Sequence, residues 1–579
     1  MTTTPDGILL VLAVMVPFVG VLADVALGGR NAQRIAMITI VAGLGIAIAI
    51  ATSAAGAGGT LVYLLGGWAP PLGIALRADG LSVIMMLTVA VVILGIGVYA
   101  RADFGTPAGV QEARSPFAFW TLLLAIWGAL NLVFVSGDLF TLYVALELLT
   151  FAAVPLVSLD GRAETLRAAL RYLLYALFGS ILYLLGAVLL YGAYGTLDIH
   201  LLAERIRPET AALAAAALMT AGLLAKTALF PLHLWLPPAH AGAPAAASAV
   251  LSGLVIKGSW FLVVRLWFDV MPSVVTAPSA QLLAALGAGA ILVGNVVALR
   301  QERLKLLVAY STVAQIGYLF LMFPLAFDAG AEHIGRGGAL TGGMLQAISH
   351  ASAKAAMFMA AGLIYHAVGH DRIAELAGVA RALPISVLTF VLAGLALMGL
   401  PPSGAYVAKK LLLDAAAGTG QWWWELVMQA GGLLTASYVV LVLAHALRPA
   451  DAPIKLHAPV SRLAEVAALA LALCSLLLGF AAVGAGIPDA LSSAFAPGEL
   501  WSAALLILGG AALAAGLARE LPTGSVGRGV AAIGRPVRRA TVAVGAAFVC
   551  ADGLLRQWPV AALALIALAI AFGAALSGR

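Results

Sequence analysis

The sequence from Leu218 to Trp260, LMTAGLLAKTALFPLHLWLPPAHAGAPAAASAVLSGLVIKGSW, places two lysines in otherwise apolar segments. Lys226 comes five residues before Pro231, and Lys257 lies well inside the apolar run that follows the prolines. A charged side chain at the centre of a bilayer costs at least ~2.5–3.5 kcal/mol on insertion scales. A proline in such a segment breaks the helix and frees backbone groups. The stretch therefore predicts a broken membrane helix that carries a functional ionisable site.

The rest of the chain has the composition of an integral membrane protein. Of its 579 residues, 63% are hydrophobic and 10% are charged, whereas a soluble domain carries roughly 25% charged residues. The apolar runs are long and do not alternate with polar residues, which favours helices over a β-barrel. The two cysteines, Cys474 and Cys550, are too isolated to form a disulfide framework, a cysteine-ligated cluster or a zinc site. We therefore expect no cofactor and no metal.

Sixteen apolar segments are long enough to cross a bilayer. No positively charged region precedes the first one, so we expect a membrane span there and not a cleavable signal. The segments cover residues 7–27, 35–54, 81–99, 117–135, 139–158, 170–191, 210–230, 244–268, 277–299, 305–323, 341–367, 385–413, 426–447, 463–482, 500–518 and 559–576.

The distribution of lysine and arginine predicts the orientation of these spans. With the N-terminus outside, 21 of the 32 basic residues fall in inside loops or at the inside ends of spans, five fall in outside loops and six lie deeper within spans. Cytoplasmic loops carry such an excess of positive charge. We therefore predict a multi-pass protein of a bacterial-type inner membrane with its N-terminus outside. The net charge of +6 follows from this asymmetry and gives no reason to expect nucleic acid as a partner.

Two groups of five spans, residues 117–268 and 277–447, share an unusual feature. Each contains a proline-interrupted span with a lysine nearby, which is Lys226 in the first group and Lys409, after Pro401 and Pro402, in the second. Because five is odd, two consecutive copies have opposite orientations. Paired broken helices in two such halves are typical of inverted-repeat transporters with an ion site near the membrane midplane.

The flanking segments complete the predicted organisation. Residues 1–116 are expected to form N-terminal transmembrane helices, and residues 448–579 to form C-terminal helices. Within the latter, the basic segment 519–557 leaves two interpretations open: a solvated loop with a surface helix, or an amphipathic helix lying along the membrane interface.

Five ionisable residues in apolar spans could carry protons in the first half and at the centre. Glu147 is the acid within its span, and Lys226 is its natural partner by type, although a structural ion pair is an alternative. Lys226 and Lys257 are candidates for proton exchange, and snorkelling to the interface is the alternative. His350 and Lys354 are four residues apart and share one helix face, which favours a relay.

Lys409 extends this series into the second half, seven residues past the proline pair. The six residues together predict a lateral proton path within the membrane. For Lys305 a structural or loop-anchoring role is at least as well supported. His233, His240 and Asp79 lie near span ends, where hydrogen-bonded caps are the default interpretation.

Four collinear motifs resemble one family over roughly residues 60–450. They are FPLHLWLPPAHAGAP with SAVLSGLVIK (230–257), RQERLKLLVAYSTVAQIGY (300–318), ISHASAKAAMFMAAGLI (348–364) and GLPPSGAYVAK (399–409). They are similar to motifs of the proton-conducting antiporter-like membrane subunits. These include the antenna subunits of respiratory complex I, the D and A subunits of Mrp Na⁺/H⁺ antiporters and the large membrane subunits of energy-converting hydrogenases.

The resemblance implies an all-α polytopic membrane protein. About 14 core transmembrane helices would form two inverted five-helix repeats with broken helices, followed by about two C-terminal helices and, in some members, a lateral helix. By resemblance, Glu147 and Lys226 match the family's glutamate–lysine pair and Lys257 its linking lysine. His350 and Lys354 match the central relay, and Lys409 the second broken-helix lysine.

The placement within the family rests on single positions. Lys257 resembles the Mrp D type, and Pro238 stands where most members have an acid. Leu441 stands near a position where an arginine is frequent. These departures bear on the identity of the partner complex.

Three functions follow from these observations. The first is a proton-translocating subunit of a multisubunit complex, either a cation/proton antiporter of the Mrp D type or a complex I- or hydrogenase-type pump. Its partners would be other membrane subunits, protons, Na⁺ in an antiporter, and the lipid bilayer. The second is a stand-alone secondary transporter, which an inverted repeat permits. The third is a redox subunit that binds haem or quinone, which the scattered histidines disfavour. The chain itself carries no redox or hydrolytic centre in this interpretation.

Overall fold

The computed structural model describes residues 2–56, 59–106, 110, 113–328, 330–450, 454, 456–484, 494–517 and 535–578. Within these residues the chain is almost entirely helical, and 15 helices are long and apolar enough to cross a membrane. The described residues contain one β-sheet, a two-stranded antiparallel hairpin of Leu61–Leu64 (β1) and Ala75–Ala78 (β2). The prediction of an all-α polytopic membrane protein is confirmed.

The helices are numbered in chain order. They are α1 (Ile8–Leu27), α2 (Ala32–Gly56), α3 (Gly80–Asp103), α4 (Arg114–Val135), α5 (Leu139–Val157), α6 (Ala163–Tyr194), α7 (Ile199–Arg205), α8 (Thr210–Thr227), α9 (Leu236–Gly242), α10 (Ala245–Val270), α11 (Ala277–Leu299), α12 (Leu304–Leu325), α13 (Gly338–Val368), α14 (Val379–Ala382), α15 (Pro384–Leu397), α16 (Gly404–Gly418), α17 (Trp422–Ala446), α18 (Arg462–Gly484), α19 (Pro497–Leu517), α20 (Arg535–Leu555) and α21 (Trp558–Leu576).

Every predicted span corresponds to a helix, with one difference. The sequence predicts a single span over 385–413, and the structure divides it into α15 and α16. Pro401 and Pro402 lie in the break, and a proline both lacks the amide hydrogen of a helix and clashes with the preceding turn. Neither half is long enough to cross a bilayer alone, so the two together make one crossing.

The first half contains a break of the same kind. Helix α8 ends at Thr227 because Ala228 takes a left-handed conformation, with φ of 57°. Pro231 follows, and α9 resumes at Leu236. Lys226 therefore lies in the last turn of α8, where the partial negative charge of the helix end favours a cation.

Three helices run through the middle of the molecule. Helices α10, α12 and α13 are enclosed by protein along nearly their whole length. In α10 the segments Leu251–Val255 and Leu266–Val270 are π-helical turns, which occur frequently at functional sites. The central helices α10 and α13 carry Lys257, His350 and Lys354.

Helices α6 and α8 approach each other closely at two glycines. A Cβ atom at Gly179 would lie 2.5 Å from the carbonyl oxygen of Gly222, and a Cβ at Gly222 would overlap the carbonyl oxygen of Gly179. Small residues permit such backbone contact between membrane helices. This contact sets the position of Lys226, four residues after Gly222.

Gly222→Ala is therefore expected to destabilise the protein, because its methyl group forces α6 and α8 apart. Overpacking of this kind costs about 1–3 kcal/mol. Gly45→Ala is the matched control, since a Cβ at Gly45 meets nothing within 4 Å. The melting temperature of the detergent-solubilised protein measures the effect. Equal melting temperatures for the two variants would contradict the contact.

The C-terminal helices pack on both halves. Helix α18 contacts α3, α13 and α15, α19 lies along α17, and α21 packs on α8. Helix α20 covers part of the segment 519–557 and contacts α11, α19 and α21. Residues 518–534 lie outside the described residues, so the lateral position of the whole segment stays a prediction, as do the domain boundaries.

The course of the chain defines two faces. Helix α1 begins at one of them, here named the N-terminal face, which also holds the β1–β2 hairpin. Arg265 at the end of α10 reaches Asp79 there. At the opposite face, Arg303 before α12 pairs with Asp371 after α13.

Candidate proton-transfer residues

Glu147 and Lys226 are in direct contact. The Nζ atom of Lys226 lies 3.2 Å from Oε1 of Glu147 and donates to the hydroxyl oxygens of Thr150, at 3.0 Å, and Ser180, at 2.5 Å. The Ser180 hydroxyl in turn donates to Oε1 of Glu147. The two charged side chains are only 6% and 13% exposed. The pair is thus buried and satisfied by neighbouring hydroxyls, as a buried ion pair requires.

Three helices build this pair. Glu147 and Thr150 lie on adjacent turns of α5, Ser180 follows Gly179 on α6, and Lys226 lies in the last turn of α8. The broken helix also fixes its own geometry, because the indole nitrogen of Trp235 donates to the carbonyl oxygen of Ala225 at 3.0 Å.

Lys257 and His350 join α10 to α13 at the centre of the molecule. Nζ of Lys257 lies 2.5 Å from Nδ1 of His350 and 2.6 Å from the carbonyl oxygen of Ser252. Ser252 belongs to the π-helical turn that precedes Lys257. Both side chains are fully buried. The contact connects a helix of the first predicted repeat with a helix of the second.

Lys354 lies one turn beyond His350 on α13. It is fully buried and donates to the hydroxyl of Ser311 and, at 3.3 Å, to the carbonyl oxygen of Val308, both on α12. Among the residues that the structure describes, the partners of Lys354 are therefore neutral acceptors and not an acid.

Polar side chains continue from Ser311 towards the second broken helix. Gln315, one turn further along α12, donates to the carbonyl oxygen of Leu397 and to the hydroxyl of Thr435, both at 3.3 Å. Gln346 of α13 donates to Gln315 at 3.2 Å. Leu397 is the last residue of α15, so this group lies against the break between α15 and α16.

Lys409 lies on the other side of that break. Its Nζ atom donates to Oε1 of Gln429 on α17 at 2.8 Å. It lines a cavity of about 210 Å³ together with Gln429 and Glu499. A Cβ atom at Gly432 would lie 3.5 Å from Nζ of Lys409, and Thr435 follows Gly432 by one turn.

Lys305 and His240 lie towards the opposite face. Lys305 donates to the carbonyl oxygen of Ala243 at 2.5 Å, which ties α12 to the segment after α9. It borders a cavity of about 620 Å³ that Asp103 and His366 also line. The ring of His240 is fully buried and stacks on Phe358 of α13, one turn after Lys354.

His233 pairs with an acid from the C-terminal helix α20. Nε2 of His233 lies 2.7 Å from Oδ1 of Asp552, and both side chains are 1% exposed. The other carboxylate oxygen accepts from the hydroxyl of Tyr310 and from Arg556, each at 2.8 Å. His233 thus contacts a carboxylate and not a helix end. The cluster anchors α20 between the first broken helix and α12.

Asp552→Ala is expected to lower the free energy of unfolding by about 3–5 kcal/mol, because it leaves buried partners without their acceptor. Tyr310→Phe, which removes one hydrogen bond, is expected to cost about 1 kcal/mol. Denaturation of the purified protein measures both. An Asp552→Ala variant as stable as the Tyr310→Phe variant would show that the cluster has no anchoring role.

Asp79 caps α3 at the N-terminal face and joins an ion-pair network. Its side chain accepts from the amide of Ser82 and contacts Arg265 at 2.5 and 2.6 Å. Asp269 binds Arg265 and Arg336. Burial acts to raise the pKa of Asp79, and the hydrogen bond and charge of Arg265 outweigh it and hold that pKa well below its usual range.

Several contacting residues were not singled out from the sequence. Isolated polar residues inside apolar spans are the signal that could have pointed to most of them, while Asp552 lies in the basic segment 519–557. The residues are Thr150, Ser180, Ser311, Gln315, Gln346, Thr435 and Asp552. Among the described residues, no group of three or more His, Cys, Asp or Glu side chains is placed to hold a metal ion.

Comparison with known proteins identifies the family. Residues 136–435 match the family model described as NADH:quinone oxidoreductase/Mrp antiporter, TM. The chain belongs to this family. The matched region contains Glu147, Lys226, Lys257, His350, Lys354 and Lys409.

Two curated relatives come from different complexes, an NADH-quinone oxidoreductase and a Na(+)/H(+) antiporter. The chain is 34% identical to the N subunit of the NADH-quinone oxidoreductase of Desulforudis audaxviator over 388 residues, which cover 66% of this chain and 75% of the relative. It is 27% identical to the D subunit of the Na(+)/H(+) antiporter of Bacillus subtilis over 387 residues, with the same coverage of each chain.

Two solved structures have the same fold. The Mrp complex from Dietzia sp. DQ12-45-1b contains a chain with a TM-score of 0.72 and 24% identity, and the match covers 91% of this chain and 100% of that one. A chain of an archaeal membrane-bound sulfane sulfur reductase gives a TM-score of 0.73 at 23% identity, covering 86% and 97%. These similarities concern the fold.

Proposed function

We propose that this protein is a proton-translocating membrane subunit of a multisubunit complex. The observation that supports this most strongly is the direct contact between Lys257 and His350, because it connects buried ionisable groups of the two halves. Family membership also supports this proposal, since the curated relatives are subunits of NADH-quinone oxidoreductases and of Na(+)/H(+) antiporters.

The proposed path begins at the Glu147–Lys226 pair. If a movement of α8 separates the two side chains, each is left as an unpaired buried ion, which costs several kcal/mol. The Lys226 ammonium would then pass its proton on towards Lys257. The Thr227 hydroxyl, which donates to Ser259 of α10 at 2.9 Å, shows how closely the end of α8 adjoins the helix of Lys257.

From Lys257 the proton would pass to His350 and Lys354. His350 Nδ1 is close enough to Lys257 for direct transfer. Ser311, Gln315 and Thr435 provide a polar lining between Lys354 and the second broken helix. Lys409 is the last lysine of the series and borders a cavity.

The relatives belong to two kinds of complex, and this protein would be a subunit of one of them. An Mrp-type assembly would exchange protons for Na⁺, and a complex I- or hydrogenase-type assembly would drive protons by redox work in other subunits. We propose an inner-membrane location with the N-terminal face outside, in agreement with the excess of basic residues in loops of the opposite face.

Affinity purification of the tagged chain from gently solubilised native membranes, followed by mass spectrometry, tests this proposal. We expect several hydrophobic membrane subunits to copurify in fixed ratios. Companions without redox cofactors would indicate a cation/proton antiporter, and iron–sulfur or nickel subunits would indicate a redox-driven pump. A chain that purifies alone and transports by itself in liposomes would contradict the proposal.

A further inference from the structure

The cavity beside Lys409 has one wall from a helix outside the family match. Helices α16 and α17 supply Lys409 and Gln429, and α19, which follows residue 435, supplies Glu499, Ser502 and Leu506. Glu499 is the carboxylate among the described residues that line this cavity. It is half-buried, and the charges of both Glu499 and Glu425 act on Lys409.

The packing of α19 on α17 fixes the level of Glu499 along the membrane normal. A Cβ atom at Gly510 would lie 2.6 Å from Cβ of Ala436, and a Cβ at Gly432 would lie 3.4 Å from Leu506. Both contacts have the same sequence offset, so the two helices run parallel in constant register. This register places Glu499 level with Glu425, one turn or about 6 Å nearer the N-terminal face than Gln429.

The residues that line the cavity thus lie at different depths along the membrane normal. Lys409, held by Gln429, lies at the level nearer the membrane centre. Glu499 lies closer to the face at which α19 begins, in the first turn of that helix. A cavity of about 210 Å³ has room for several water molecules at roughly 30 Å³ each. Lys410 also lines it, and Glu425 is exposed nearby.

We infer that Glu499 receives the proton from Lys409 and releases it at the N-terminal face. This inference rests on the proposed function. The ammonium of Lys409 gives its proton, through water in the cavity, to the carboxylate of Glu499, which leaves a neutral amine and a carboxylic acid. The acid then loses the proton to the solution, and Lys409 is ready for the next proton from the central relay.

Glu499→Gln in the complete complex in its native membrane tests the inference. We expect proton transport per assembled complex to fall by about tenfold, and Glu499→Asp to restore most of it. Glu425→Gln is the matched control, because Glu425 lies at the same level and its charge also acts on Lys409, but it does not line the cavity. We expect it to change transport by less than about twofold. Equal losses in both glutamine variants, or transport by Glu499→Gln within about twofold of the wild type, would overturn the inference.

A pH measurement separates proton release from a structural role. With the pH at the opposite face fixed, we expect the wild-type rate to depend on the pH at the N-terminal face and this dependence to flatten in Glu499→Gln. A rate curve that is scaled down without any change of shape would overturn the assignment. Lys226→Ala in the same assay tests the proposed function separately. If Lys226→Ala abolishes transport and Glu499→Gln does not, only the exit assignment fails.

Accessibility provides a second measurement that does not depend on activity. In a chain whose Cys474 and Cys550 are replaced by alanine, we expect Ser502→Cys to react with a membrane-impermeant maleimide added at the N-terminal face. Labelling from the opposite face alone, or no labelling, would contradict an exit at this cavity.

Discussion

Lys226→Ala is expected to reduce proton transport by about 100-fold or more while the complex still assembles. Removing the ammonium leaves Glu147 buried, with the Ser180 hydroxyl as its remaining partner in the cluster. Breaking a buried pair in this way costs about 3–5 kcal/mol, and the proposed path loses the ammonium group that passes a proton on. Transport is measured as acidification of everted membrane vesicles, normalised to the amount of assembled complex.

Thr150→Val is the matched control for this variant. It removes one of the three contacts of Lys226 and leaves the ion pair in place. We expect its transport rate to stay within about threefold of the wild type, since a single hydrogen bond contributes about 1 kcal/mol or less. Wild-type transport by Lys226→Ala would rule out the pair as part of the path.

Lys257→Met is expected to cause the second largest loss, about tenfold or more. Methionine fills a similar volume but cannot carry a proton. A proton therefore can no longer pass from residue 257 on α10 to His350 on α13. Because the Glu147–Lys226 pair lies on other helices, it stays intact in this variant. Vesicle acidification by the assembled complex is again the measurement.

Ser259→Ala provides the control on the same helix. Ser259 donates to the carbonyl oxygen of Ile256 and accepts from Thr227, and its loss removes polar contacts without removing a charge. We expect a reduction of less than about threefold. If both variants reduced transport equally, the effect would reflect the packing of α10 and not a proton carried by Lys257.

Much of the fold could be predicted from hydrophobic runs because each span is defined by a local sequence. The two proline-interrupted segments also show locally, although the apolar run predicts one span over 385–413. Apolar residues continue on both sides of Pro401 and Pro402, so the run alone does not show where the helix ends. Only the backbone shows that α15 stops at Leu397 and α16 begins at Gly404.

The candidate site was less accessible to sequence analysis because its contacts join distant segments. Residue types favoured Glu147 and Lys226 as partners, yet 79 residues separate them and only the structure brings them together. The hydroxyl of Ser180 is ordinary in sequence and becomes relevant through its position between those two side chains. Asp552 lies 319 residues from His233 and contacts it through the packing of a C-terminal helix. Such partners depend on tertiary packing and have no local pattern.

The most direct test of the proposed proton path is proton flux through the purified complex in sealed liposomes. Flux is recorded with an enclosed pH dye after a transmembrane potential is imposed, for the wild type and for Lys226→Ala at equal amounts of assembled complex. We expect proton movement by the wild type and none above the background of empty liposomes for Lys226→Ala. Equal flux through both complexes would show that protons do not pass along the Glu147–Lys226 path.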